Sequence, residues 1–134
     1  MSDMHTVRAT SKGLDTTPRK LGLVAALVRG RSVADAMTIL QHTPKRAAKP
    51  LLKVIAAAKA NAVNNSRIKE EGLVISQLQI TSGARLKRFN PGAHGRAKPY
   101  MKKASHVLIE VTGEVKPKKV AEAKTADAPK KGAK

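Results

Sequence analysis

Between Gly72 and Ile109 the chain carries no acidic residue, yet this stretch holds Arg85, Lys87, Arg88, Arg96, Lys98, Lys102 and Lys103. Charge of one sign at this density repels itself, so the segment tolerates few compact arrangements. Both of its ends alternate. Val74, Leu78 and Ile80 share one face of a run that begins at Leu73, and Val107, Ile109 and Val111 share one face of a second run. The pattern predicts an antiparallel pair. Setting Ile80 against Ile109 and Leu78 against Val111 centres the hairpin between His94 and Gly95 and places Phe89 opposite Tyr100. The tip, Asn90-Pro91-Gly92-Ala93-His94-Gly95, has the glycine and proline that a turn needs. The 12 residues from Ser82 to the tip span about 40 Å at about 3.3 Å each. That is too long to lie on a body of this size, so a hairpin of about residues 80–109 projects from it.

A solvated loop would intersperse acids to limit repulsion, whereas an arm threaded between nucleic-acid phosphates would not. The composition favours the arm: 27 Lys plus Arg stand against 9 Asp plus Glu, a formal charge of +18 over 134 residues, which calls for a polyanionic partner. The only rings are Phe89 and Tyr100, both on the arm. Modules that stack successive bases on aromatic platforms are thereby excluded. The two rings either stack on each other across the strands, or one inserts against an unpaired base. With almost no Asn, Gln or aromatic edge readers, such an arm binds by shape and phosphate rather than by base sequence.

The chain has no Cys, which removes disulfide frameworks, zinc fingers and thiol catalysis. No apolar run reaches signal-peptide or membrane-span length, so a soluble, cytoplasmic protein is expected. His5, His42, His94 and His106 are scattered, and no HExxH, GxGxxG or phosphate-loop spacing occurs. No enzyme activity, cofactor or metal is expected. His106, one residue before the apolar strand run, is either a packed, hydrogen-bonded side chain or an RNA contact.

Upstream of the arm the punctuation is helical. Thr17-Pro18 starts a first helix over the run to Arg29, with Gly30 as its stop. Arg19 and Lys20 fall in its first turn, where the dipole disfavours cations and an external phosphate explains them, and Arg29 and Arg31 lie at its far end. Ser32-Val33-Ala34-Asp35 resembles a capping box opening a second helix to about Gln41. Thr43-Pro44 starts a third helix to about Asn65. There Leu51, Val54, Ile55, Ala58 and Ala62 fall on one side, with Lys45, Arg46, Lys49, Lys53 and Lys59 on the other. Pro50 either kinks this helix or marks its start, and in the second case Lys45 and Arg46 leave the stripe. Residues 1–6 are expected to be loose. Residues 114–134, with seven Lys and almost nothing large and apolar, read as a disordered basic tail after a domain of 1–113.

Several spaced motifs occur in one order: Pro18-Arg19-Lys20-Leu21, Leu27-Val28-Arg29-Gly30-Arg31, Pro44-Lys45-Arg46-Ala47-Ala48, and Lys53-Val54 with Ala60-Asn61-Ala62. Leu86-Lys87-Arg88, Gly95-Arg96-Ala97 and Lys103-Ala104-Ser105-His106-Val107 complete the series. Over about residues 7–112 the chain resembles the bacterial large-subunit ribosomal protein twenty-two family. The resemblance implies an α+β fold in which three helices pack on a small three-stranded antiparallel sheet, with its first strand from about Val7 to Leu14 and a long protruding hairpin. It also implies large-subunit ribosomal RNA, neighbouring ribosomal proteins and the nascent peptide as partners, the tip forming part of the exit-tunnel wall. The tip residues are Leu86, Phe89, Asn90, Pro91, Gly92, Ala93, His94 and Gly95; Gly92 stands where the family often carries a basic residue. The expected function is structural, bridging several RNA segments during assembly of the ribosome, with neither membrane nor self-association involved. The alternative that composition permits is a free DNA- or RNA-binding regulatory or compacting protein.

Overall fold

A computed structural model describes residues 4–115. In chain order these form β1 (Met4–Leu14), α1 (Pro18–Ala25), α2 (Val33–His42), α3 (Ala48–Asn64), β2 (Val74–Pro91), a single 3-10 turn (Ala93–Gly95) and β3 (Ala97–Glu114). The sheet is antiparallel in the order β1-β3-β2, so β3 is central and joins chain segments a hundred residues apart. Along its inner half Ser105, Val107, Ile109 and Val111 are buried, alternating with half-buried neighbours. The helices close this face, placing Leu21, Leu51, Ile55, Ile68, Leu73 and Ile75 in one core with Ile109. Aliphatic residues and alanine fill it without a single ring, as the composition requires. The architecture is the expected α+β one. No helix among the described residues is long and apolar enough to cross a membrane.

Local chemistry sets most boundaries and displaces some. Thr17 takes the extended N-cap conformation ahead of Pro18, but its hydroxyl makes no capping bond. The first helix ends at Ala25, short of the expected Arg29, because Leu27 and Val28 donate to the carbonyls three residues back, which tightens the path and turns Val28 into the core. Gly30 then reverses the chain with φ of +70°. At the second helix the Asp35 amide donates to the Ser32 hydroxyl oxygen at 3.1 Å, as predicted. The Asp35 carboxylate accepts from the Ser32 hydroxyl itself at 2.7 Å, not from its backbone as a full capping box would.

The second Thr-Pro pair does the opposite of the expected job. Thr43 is extended, as a residue before proline must be, and its hydroxyl donates to the Ile39 carbonyl at 2.6 Å, closing α2 rather than opening α3. Helix α3 starts at Ala48, so Pro50 falls in the first turn, where its missing N–H belongs to no helical bond. Lys45 and Arg46 therefore precede α3 and leave its stripe. The apolar side is as expected, with Leu51, Val54, Ile55, Ala58 and Ala62 buried.

At the ends of the domain, β1 begins at Met4, earlier than expected: Met4, His5 and Thr6 pair with Glu114, Gly113 and Thr112. Val115 bridges Ile68. The tail expected over 114–134 thus loses its first two residues, Glu114 and Val115, to strand pairing, and its remainder from 116 lies outside the described residues, as do residues 1–3.

Candidate nucleic-acid interface

The arm exists and projects. From Ala84 to Lys103 every residue is exposed except half-buried Gly92, so this ribbon contributes nothing to the core. Its register differs from the expected one. Leu78 faces Ile109 and Ile80 faces Val107, two residues away from the prediction, while Phe89 faces Pro99 and Arg88 faces Tyr100, one residue away. The turn, centred on His94, accounts for one residue of this, and a bulge between the arm and Ile80 for the second; β2 holds two bulges. One extra residue sits between Ile75 and Gln77, and another where Gly83 and Ala84 oppose the single Ala104. The first bulge reverses parity, so Ile75 is buried while Val74, predicted on the core face, is 40% exposed.

The one-residue change in the arm decides what its two faces carry, because directly opposed residues share a face. Leu86 with Lys102, Arg88 with Tyr100, and Asn90 with Lys98 form one face. Arg85 with Lys103, Lys87 with Met101, Phe89 with Pro99, and Pro91 with Ala97 form the other. Phe89 and Tyr100 consequently lie on opposite faces and do not stack on each other. Each face presents three cations, and Arg96 adds a seventh at the tip. The tip itself is pinned by the Gly92 amide donating to the Arg96 carbonyl at 2.7 Å, with His94 and Gly95 left-handed at φ of 56° and 68°. A Cβ on Gly92 would lie 2.7 Å from that carbonyl oxygen, so a side chain at this position would force the turn to shift.

Where the arm leaves the body, β1 also bulges: Lys12 and Gly13 oppose the single His106. The Gly13 amide donates to His106 Nδ1 at 2.9 Å, and the His106 ring lies 3.1 Å from the Cβ position of Gly83. His106, read from the sequence as either a packed, hydrogen-bonded side chain or an RNA contact, is hydrogen-bonded here and sits between the two bulges at the arm's root.

The cations of the body form groups that the linear pattern does not show. Lys20 on α1, Lys45 and Arg46 from the α2–α3 connection, and Lys102 and Lys103 of the arm line one groove. Asp15 within it pairs with Lys102 at 3.3 Å and with Arg46 at 4.0 Å. Lys49 and Lys53 line a depression between α3 and β1. Lys59 is separate, paired with Glu70 at 2.5 Å. Arg19 and Arg31 are exposed. Arg29, past the end of α1, donates from Nε to the Leu78 carbonyl at 3.1 Å and so fastens the turn to β2. Sequence reasoning missed Lys12 and Arg67, exposed cations without an acidic partner among the described residues. The bulge that presents Lys12 has one cue, Gly13 inside a strand pattern.

Among the described residues this surface presents cations on several elements, an arrangement suited to binding a polyanion. The ribosomal protein L22p/L17e family matches residues 9–112. The chain is 43% identical over 109 residues to the large ribosomal subunit protein uL22 of Lactobacillus delbrueckii subsp. bulgaricus, covering 81% of this chain and 93% of that one. It is 44% identical over 105 residues to the protein of the same name from Pediococcus pentosaceus, covering 78% and 89% respectively. With one family spanning both body and arm at this identity, the chain belongs to the ribosomal protein L22p/L17e family.

Proposed function

We propose that the chain is a structural, non-catalytic component of the large ribosomal subunit. Its body seats on ribosomal RNA, its arm threads between RNA segments and bridges them, and its tip stands at the exit-tunnel wall within reach of the nascent peptide. The observation that carries this reading is the equal division of cations between the two faces of a ribbon with no buried side chain. A ribbon laid on a surface needs charge on one face. Charge on both faces suits enclosure, where phosphates approach from either side and each contact releases counterions. Membership of a family whose matched relatives are named as large-subunit proteins supports the same conclusion.

Filter binding of the full chain to large-subunit ribosomal RNA over a salt series tests it. Arg88→Glu or Arg96→Glu is expected to weaken binding and lower the salt slope by about one unit each. Lys118→Glu or Lys130→Glu is expected to have a smaller effect. Equal or reversed effects would move the main binding surface into the tail, and failure to co-sediment with large subunits at moderate salt would favour a free nucleic-acid-binding protein.

A further inference from the structure

The groove at the root of the arm has a lining that is part apolar and part cationic. It encloses about 710 Å3 between α1, the α2–α3 connection and β3, within the range of about 300–1,000 Å3 common for small-ligand sites. Its lining includes the apolar side chains of Leu23, Leu27 and Met101, which are 72%, 48% and 53% exposed. Helix α1 spends Leu21, Val24 and Ala25 on the core, so Leu23 is surplus to folding. Beside these stand cations from α1, the α2–α3 connection and β3, against the single carboxylate of Asp15.

We propose that the groove holds one unpaired nucleotide of the bound RNA, its base lying on Leu23, Leu27 and Met101 and its flanking phosphates on the cations of the lining. This rests on the RNA-binding reading above and adds a site to it. A nucleotide in a strand is a flat, largely apolar ring between two negative charges, and the groove offers matching chemistry: exposed apolar side chains with cations on separate elements in one lining. The arm's cations continue directly into the lining through Lys102 and Lys103, so RNA that encloses the arm passes the groove. Of the polar groups able to read a base edge, the Thr16 and Thr17 hydroxyls stand in the lining. The Thr43 hydroxyl already donates to Ile39, and Asp15 is engaged by Lys102 and Arg46. The site accepts an extruded base chiefly by shape.

The full chain, methyl-labelled at Leu and Met, is titrated with a single-stranded adenosine pentanucleotide and with an abasic oligomer of equal charge. The Leu23, Leu27 and Met101 methyl signals are expected to move upfield with the first and to stay in place with the second. The double substitution Leu23→Ser, Leu27→Ser, at exposed positions, is expected to weaken pentanucleotide binding about tenfold at fixed salt. Unchanged core methyl signals verify the fold of that variant. Equal shifts with the abasic oligomer, or shifts confined to the arm, would overturn the nucleotide site while leaving RNA binding intact. Movement of these methyls by a polyglutamate peptide, and not by the pentanucleotide, would overturn it in favour of an acidic protein partner. No binding of either oligomer or of large-subunit RNA would overturn the functional reading as well.

Discussion

Ser105 stands in a row with Val107, Ile109 and Val111, and its hydroxyl is fully buried. It donates to the Thr16 carbonyl at 2.6 Å, which fixes the turn between β1 and α1 and hence the end of α1 that brings Lys20 to the groove. Ser105→Ala leaves that carbonyl without its partner and is expected to cost about 1–3 kcal/mol, read as a lower urea midpoint at unchanged slope. An unchanged midpoint would mean that the turn is held by other contacts. Gly92 acts by close approach, not by an unusual dihedral angle, since its φ is −119°. Gly92→Ala is expected to displace backbone amide resonances from about residue 90 to 97 while global stability changes by less than about 0.5 kcal/mol, because the tip supports no core contact. A broad loss of stability would contradict the tip's independence.

At the scale of elements, that independence has a stronger consequence. Deleting residues 84–101 joins Gly83 to Lys102 and leaves four residues between Ser82 and Ser105, which remain paired. The shortened chain is expected to unfold in one cooperative transition, followed by circular dichroism; loss of cooperativity would show that the arm supports the core. The helices were legible in the sequence because Thr17-Pro18, Ser32 and the apolar spacing of Leu51 to Ala62 each act locally. The pairing of the two long strands was legible too, since alternation marks which runs face the core. Their register was not. Each bulge adds one residue without altering composition, and only Gly83 and Gly13 hint at two of the three. The groove was illegible for a related reason. Lys20, Lys45, Arg46, Lys102 and Lys103 were each singled out, but their convergence depends on Thr43 closing α2 and leaving residues 44–47 free to swing the cations against the arm.

Across the whole molecule, one imbalance links stability to binding. A formal charge of +18 is carried by a core of modest aliphatic side chains, and the ion pairs formed by Arg8, Arg46, Lys59, Lys69 and Lys102 engage only a few of the cations. The rest repel one another in the free protein, most strongly where Lys45, Arg46, Lys49 and Lys53 crowd one end of α3. Screening over a Debye length of about 10 Å at 0.1 M salt removes much of that repulsion. The melting temperature of the free chain is therefore expected to rise between about 0.05 and 0.5 M sodium chloride. The variant lacking residues 84–101, relieved of Arg85, Lys87, Arg88, Arg96 and Lys98, is expected to rise less. Large-subunit RNA should produce a larger increase at low salt and progressively less as salt competes for the same phosphates. Calorimetry over a salt series, with and without RNA, separates the two effects. A melting temperature indifferent to salt, or an RNA effect that persists at high salt, would mean that the cations are already balanced within the fold and that something other than phosphate holds the protein in place.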